Sequence, residues 1–234
     1  MTVEPVVDFQ EVASRISKLW NLLSASEREA VESSARLRSY RKNELIYQEG
    51  ENPDHLLCLL SGKVKIFRDG VGGRSQIMRL MRPVQYFGYR ASLAREPYVT
   101  AAAAFEPSLV CSIPMRVITD AMATNNALCR FFISELATDL GISDKRTVSL
   151  TQKHIRGRLA EALLFLLETY GFEPDSNTIG IRLSREDLAN LSNMTTSNAI
   201  RTLSDFASEG LLSINGRNIT LCDEQTLRRI SRIG

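Results

Sequence analysis

The sequence predicts an α+β fold in three successive parts: a β-rich first half, a long central helix and a small mixed domain after it. Short strands separated by turn residues fill positions 39–114, which favours a β-barrel or sandwich. Apolar residues then recur at steps of three and four from Ala127 towards Leu150, as in one long helix. Two short helical patterns and an alternating hairpin follow. We therefore expect domains at residues 1–114, 115–153 and 154–234.

The chain's 234 residues suffice for two modest domains, each with its own core. Its formal net charge is only +2, so any affinity for nucleic acid must come from a local basic face. The last third supplies candidates for that face, the alternative being scattered solvated charge. They are Lys153, Arg156, Arg158, Arg182, Arg185, Arg201, Arg217, Arg228, Arg229 and Arg232.

Several function classes lack support in the sequence. It shows neither a signal-peptide pattern nor an apolar run that could cross a bilayer, so we expect a cytoplasmic protein without membrane contact. Four separated cysteines lie among apolar residues, as buried reduced thiols do. No Cys/His spacing suggests a metal site, and the two histidines imply no catalytic triad, so we expect no enzyme. These residues are Cys58, Cys111, Cys129, Cys222, His55 and His154.

The first part begins with helices and continues with strands. Residues 9–38 look helical, with Ser26 as the expected N-cap of a helix over 27–37. The run 63–68 alternates cleanly, as a half-buried strand does, and 69–73 form a glycine-rich hairpin tip. Further strands are expected at 40–47, 56–60, 76–81, 99–105 and 109–113.

The central helix carries a stripe that averages the coiled-coil period of about 3.5 residues. A first helix is expected over 116–124, and Asn125-Asn126 separates it from the long one. The long helix either packs on its own β-domain or pairs with a second copy. Because the stripe continues through small polar residues, we favour a parallel homodimer. The stripe is Cys129, Phe132, Leu136, Leu140, Ser143, Thr147 and Leu150.

A strongly apolar helix over 154–167 should form the core of the last domain. Gly157 near its start suits a hinge or a close packing point. A loop over 171–177 and a short strand over 178–183 should follow.

Residues 183–206 predict two short helices joined by a tight turn. Ser184 is a natural N-cap, and Ser192-Asn193 ends the first helix because Asn tolerates the left-handed conformation. The second helix should begin near Thr195 or Thr196 and end at Glu209-Gly210. Its expected inner residues are Ala199, Ile200, Leu203 and Phe206, and its expected outer residues are Ser197, Asn198, Arg201 and Thr202.

A hairpin after the second helix gives this pair of helices a specific meaning. Residues 211–214 and 217–221 alternate about Asn215-Gly216, a strong signal for a two-residue β-turn. Without this β-hairpin, the two helices could equally be an ordinary helical hairpin with a polar surface. Two helices and a two-stranded wing instead predict a winged helix-turn-helix, whose second helix enters the major groove of DNA.

Taken in order, the motifs resemble those of the Crp/Fnr family of bacterial transcription regulators. The motifs are Glu49-Gly50, residues 60–65, Ile113-Pro114, residues 157–160 and residues 183–210. The resemblance covers nearly the whole chain. It implies a β-roll (jelly roll) of the cyclic-nucleotide-binding type, a long dimerisation helix and a C-terminal winged helix-turn-helix. It also implies a homodimer that binds a palindromic operator in double-stranded DNA and recruits or blocks RNA polymerase.

The sequence departs from relatives that bind cyclic AMP. Those relatives hold the phosphate with a Gly-Glu pair and an Arg-Ser/Thr-Ala segment. Here Tyr89 replaces the acid and Val99 the arginine, so a buried phosphate would lack its main counter-charge. We expect no cyclic AMP and no cofactor, although another small effector remains open. The candidate effector pocket comprises Phe87, Gly88, Tyr89, Arg90, Thr100, Ser143 and Asp144.

The recognition helix also departs from well-known members, because Thr196-Ser197 replaces Arg-Glu at its start. Arg201 is the candidate for a bidentate guanine contact, worth roughly 1–3 kcal/mol of discrimination, with Ser197 and Asn198 reading neighbouring bases. Phosphate contacts, which set register, are expected from Ser184, Arg185, Thr195, Asn215 and Arg217.

Three other hypotheses stay open. In the first, the dimer binds DNA without any ligand. In the second, His55 or a cysteine holds haem iron, and in the third, the chain acts as a sensor on a protein partner.

Overall fold

The computed structural model describes residues 9–70, 72–174 and 176–234, which form two compact units. The first contains residues up to Asp69 together with Met78–Leu140, and the second contains Gly70–Ile77 and Gly141–Gly234. The expected bounds at 114 and 153 therefore differ from this division, which falls within the long helix.

The elements alternate much as the sequence predicts. The helices are α1 (Phe9–Arg15), α2 (Ser17–Trp20), α3 (Ala25–Ser34), α4 (Tyr89–Ala94), α5 (Met115–Met122), α6 (Asn126–Gln152), α7 (Ile155–Tyr170), α8 (Arg185–Ser192), α9 (Thr196–Ser208) and α10 (Glu224–Ile233). The strands are β1 (Arg36–Tyr40), β2 (Leu45–Tyr47), β3 (His55–Ser61), β4 (Val64–Asp69), β5 (Ser75–Met81), β6 (Gln85–Phe87), β7 (Ala101–Ala104), β8 (Ser108–Pro114), β9 (Leu212–Asn215) and β10 (Asn218–Leu221).

The first unit is built on a β-roll, as predicted. One sheet has the strand order β1-β8-β3-β6 and the other β2-β7-β4-β5. Leu59, Ile66 and Val110 are buried in one core cluster. Leu56, Cys58 and Ile113 are buried in a second cluster, which includes helical residues. Because neighbouring residues of a strand point to opposite faces, β3 contributes to both cores.

The N-terminal helices are shorter than expected, and Ser24 rather than Ser26 caps α3. The Ser24 hydroxyl accepts from the Glu27 amide at 3.3 Å, and the Glu27 carboxylate accepts from the Ser24 amide at 2.6 Å. This reciprocal capping box fixes the start of α3. The expected continuation to Leu37 is wrong, because Leu37 lies in β1 opposite Cys111.

The first part of α6 packs on its own unit. Phe132 is 1% exposed, and its ring centroid lies 5.1 Å from that of Tyr89. Leu136 packs against the same core, and the Cys129 thiol donates to the Met122 carbonyl at 3.1 Å. Assigning Cys129, Phe132 and Leu136 to a dimer seam is therefore wrong. The helix is apolar on two faces, and periodicity cannot tell which face the β-roll covers.

Two smaller expectations also fail. Residues 178–183 form single bridges, Phe172 to Ile179 and Thr178 to Thr220, instead of a strand. Cys222 is exposed, whereas Cys58 and Cys111 are buried as expected, and burial raises the pKa of the Cys111 thiol to about 12.

Gly157 is a close packing point. A Cβ added there would lie 2.6 Å from the Gly234 Cα. Among the described residues, no helix combines the length and the apolar character needed to span a bilayer.

Replacing Phe132 by Ala tests the inward assignment of this side chain. We expect the free energy of unfolding to fall by about 3–5 kcal/mol, because a large buried ring is lost. Urea unfolding followed by circular dichroism measures the loss, with exposed Ser134→Ala as the control. A Phe132→Ala variant as stable as that control would contradict the assignment.

Candidate nucleic-acid interface and effector pocket

The first helix of the helix-turn-helix is capped at both ends as expected. The Ser184 hydroxyl accepts from the Asp187 amide at 3.0 Å and donates to its carboxylate at 2.6 Å. Leu188 and Leu191 are buried. Asn193 ends α8 in the left-handed conformation, with φ of 51°, so the tight turn depends on a residue type that tolerates this backbone.

The second helix begins at Thr196, and Thr195 is its N-cap. The Thr195 hydroxyl accepts from the Asn198 amide at 3.2 Å. Gly210, with φ of 73°, follows its C-cap Glu209. The side-chain hydroxyl of Thr195 therefore stabilises the start of the helix, in addition to the phosphate contact predicted for it.

The buried face of α9 differs from the prediction at two positions. Thr202 is 4% exposed and lies inside with Ala199, Leu203 and Phe206, whereas Ile200 is 47% exposed. At 3.6 residues per turn, Thr202 lies at one edge of the buried stripe, and Ile200 lies just outside its other edge. The polarity of the two side chains had predicted the opposite arrangement, with Ile200 inside and Thr202 outside.

The exposed face of α9 carries Ser197, Arg201 and Ser204, with Ile200 beside them. The Arg201 guanidinium donates to the Asn198 side-chain oxygen at 2.9 Å. This bond between residues three apart orients the arginine along the helix surface. The structure thus brings together the three residues predicted to read bases: Ser197, Asn198 and Arg201.

The wing is formed by β9 and β10, and its turn is shifted by one residue from the prediction. Asn215 pairs with Asn218, so the two-residue turn is Gly216-Arg217. Gly216 has φ of 59°, a conformation that glycine adopts at no steric cost. The Arg185 guanidinium donates to the Gly216 carbonyl at 2.9 Å, which links the start of α8 to the tip of the wing.

Part of the predicted basic face is paired with carboxylates. Carboxylates pair with four of its ten members: Lys153 with Glu161, Arg156 with Glu209, Arg182 with Glu173, and Arg228 with Glu168 and Glu224. In the described part of the chain, the other six members form no ion pair with a carboxylate. Three of them, Arg185, Arg201 and Arg217, lie on α8, α9 and the wing, and the other three, Arg158, Arg229 and Arg232, lie on α7 and α10. Part of the positive charge available to an anion is therefore located where the helix-turn-helix would meet DNA.

The predicted effector segment is folded into the β-roll core. Phe87 and Tyr89 are each 3% exposed. Gly88 has φ of 84°, and a Cβ there would lie 3.1 Å from the Tyr98 hydroxyl. A tyrosine side chain therefore covers this glycine. Arg90 pairs at the surface with Glu96 at 2.7 Å, and exposed Ser143 and Asp144 belong to the other unit.

Aromatic rings pack in the interior near Gly88. The rings of Tyr47 and Tyr98 stack with centroids 3.8 Å apart, and Phe87 lies 6.4 Å from Tyr47. Burial raises the pKa of the Tyr47 phenol, and Thr100 acts on this pKa in the opposite direction.

An ion pair that the sequence did not suggest joins the β-roll to α6. Arg79 on β5 contacts Asp139 at 2.5 Å, and both side chains are about one-third exposed. Asp139 also acts electrostatically on Tyr89, whose pKa is raised mainly by burial. Sixty residues separate the partners, so no local pattern could have predicted the pair.

The described residues include no group of three or more His, Cys, Asp or Glu side chains placed to hold a metal ion. His55, the histidine considered for haem, lies exposed at the start of β3.

Comparison with known proteins agrees with this geometry. Residues 37–125 match the cyclic nucleotide-binding domain and residues 157–230 the Crp-like helix-turn-helix domain. The chain belongs to the Crp/Fnr family. This Crp/Fnr chain is therefore a transcription regulator with a DNA-binding helix-turn-helix, and its relatives are regulators, not enzymes.

Individual relatives match most of both chains. A CRP-like cAMP-activated global transcriptional regulator from Mycobacterium tuberculosis is 25% identical over 194 residues, which cover 82% of this chain and 87% of the relative. The global nitrogen regulator of Nostoc sp. is 25% identical, with coverage of 82% and 88%. FixK2 from Bradyrhizobium japonicum has a TM-score of 0.75 at 25% identity, with coverage of 84% and 96%.

Arginine substitutions distinguish base contacts from phosphate contacts. Arg201→Ala should relax specificity at one base-pair position at a cost of about 1–3 kcal/mol, because a base-edge contact is lost. Arg185→Ala should weaken binding about equally on all sequences and flatten the salt dependence. Titration of single-base operator variants at several salt concentrations measures both effects. Equal losses on every variant for both proteins would contradict these roles.

Proposed function

We propose that this regulator is a homodimer that binds a palindromic operator through two copies of α9, and that its β-roll does not bind cyclic AMP. The exposed polar face of α9, with Arg201 held by Asn198 at 2.9 Å, is the observation that carries the proposal. A two-fold protein presents two such helices to half-sites about one helical turn apart. It would act in the cytoplasm and influence transcription by contact with RNA polymerase.

The exposed side of α6 supports the dimer. Ile133 and Leu140 are 64% and 62% exposed, and Ala137 between them is also exposed. With Thr147, these residues follow steps of four, three and seven, which is the spacing of a coiled-coil seam. Leu140 and Thr147 belong to the predicted stripe, but the start of the seam is shifted to Ile133.

The contents of the β-roll argue against cyclic AMP. Tyr98 covers Gly88, and Val99 offers no charge to a phosphate. The mycobacterial relative is named for activation by cAMP, but this chain lacks the acid and the arginine that would hold the nucleotide. A buried phosphate without a counter-charge is strongly disfavoured.

A ligand-independent regulator is the second candidate, and the pair between Arg79 and Asp139 favours it. This contact joins β5 to α6, so a protein side chain already links the roll to the long helix. Operator binding by protein freed of small molecules, unchanged on addition of cell extract, would support this candidate.

Replacing Leu140 by Glu tests the seam. Two glutamates facing each other across a parallel dimer repel, so we expect a monomer by sedimentation and a large loss of affinity for the palindrome. Thr138→Glu, which adds the same charge on another exposed side of α6, should remain dimeric. A dimeric Leu140→Glu variant would contradict this seam.

Added cyclic AMP should leave operator affinity and the melting temperature unchanged, because a ligand that does not bind the folded state cannot stabilise it. Fluorescence anisotropy and thermal unfolding, each with and without saturating nucleotide, provide the measurement. A rise in either quantity would contradict the proposal that the β-roll does not bind cyclic AMP.

A further inference from the structure

Arg146 has an unusual position for a cation of a long helix. It lies on α6 within the same compact unit as the helix-turn-helix and residues of the β4–β5 hairpin. Its guanidinium donates to the Leu191 carbonyl at 2.9 Å and also to the Ile77 carbonyl. One half-buried side chain therefore contacts α8 and the hairpin, while its backbone belongs to α6.

The contact with Leu191 supplies a hydrogen-bond donor to a carbonyl at the C-terminal end of α8. The last carbonyls of a helix lack donors from within the helix, and a cation there also meets the negative end of the helix dipole. The Ser192 hydroxyl donates to the Leu188 carbonyl, and the amides of Asn193 and Met194 both donate to the Ala189 carbonyl. Arg146 supplies the donor for Leu191.

Carboxylate charge near Arg146 compensates its burial. Burial lowers the pKa of Arg146, and the Glu161 carboxylate of α7 opposes this effect. Glu161 also accepts from Lys153 Nζ at 3.0 Å and from the Ser149 hydroxyl. The last turns of α6 are thereby tied to α7 as well as to α8.

We infer that Arg146 is a positioning residue that sets the separation of the two half-sites this regulator accepts. The turn at Asn193 packs α9 against α8, so a fixed contact between α6 and α8 also fixes the direction of α9. The same stretch of α6 carries Thr147 of the proposed seam. This inference rests on the proposed dimer and specifies how that dimer discriminates between operators with different half-site separations.

The test uses the full-length protein and operators whose half-sites are moved closer or farther by one or two base pairs. One base pair turns a half-site by roughly 35° about the duplex axis, so a rigid dimer discriminates strongly between spacings. Arg146→Met removes the guanidinium, and Lys145→Met removes a neighbouring exposed charge as the matched control. Both carbonyls accept from the same guanidinium nitrogen, Nη2. Arg146→Lys keeps the charge, but its ammonium nitrogen lies one bond closer to the backbone, so it should reach the two carbonyls less well.

We expect the wild type and Lys145→Met to prefer one spacing by at least about tenfold. Arg146→Met should reduce that preference about fivefold or more, and Arg146→Lys should lie between. If Arg146→Met does not fold, a reduced preference in Arg146→Lys still supports the inference.

An unchanged spacing preference in a folded Arg146 variant, or an equal loss of affinity at every spacing, would overturn it. A dimeric wild type without any spacing preference would overturn it too. A wild type that binds no palindrome would remove the proposed function instead.

Discussion

Burial of one face of α9 is the constraint on which the DNA-binding surface depends. Leu203 and Phe206 are at most 1% exposed, and burying such side chains contributes roughly 1.5–3 kcal/mol each. Rotating the helix to present other residues would lose this free energy. The same packing fixes Ser197, Arg201 and Ser204 outward, so the stability of the domain and the choice of its solvent-exposed residues on α9 have one cause.

Arginines without a carboxylate partner contribute positive charge to that domain. Four of the ten basic residues first considered are engaged by carboxylates. Among the described residues the other six are not, and three of these six, Arg185, Arg201 and Arg217, lie on α8, α9 and the wing. Arg185 also holds the wing tip through the Gly216 carbonyl. The chain's net charge of +2 is therefore a poor measure of the potential that a DNA backbone would meet.

Local chemistry made much of the fold readable from the sequence. Ser184, Asn193 and Gly210 mark helix ends because each residue type satisfies a backbone requirement of its own position, and the structure confirms all three. The alternating β-strands and the order of the domains followed from comparable short-range patterns.

The failures occur where distant partners decide the outcome. Phe132 and Ile133 are adjacent on α6, yet only the position of the β-roll determines that Phe132 is buried and Ile133 exposed. Thr202 is inside because its neighbours on the helix are inside, despite its hydroxyl. The Arg79–Asp139 contact and the bonds of Arg146 join segments at least 45 residues apart, which no periodicity encodes.

Selection of bound fragments from a genomic library tests the central claim most directly, namely that α9 is presented twice to specific DNA. The account predicts an enriched inverted repeat whose half-sites are centred about 10–10.5 base pairs, or a multiple of that, apart. Each half should contain a guanine whose enrichment disappears with Arg201→Ala. Recovery of fragments with no shared sequence, or of fragments whose shared sequence lacks two-fold symmetry, would contradict the claim.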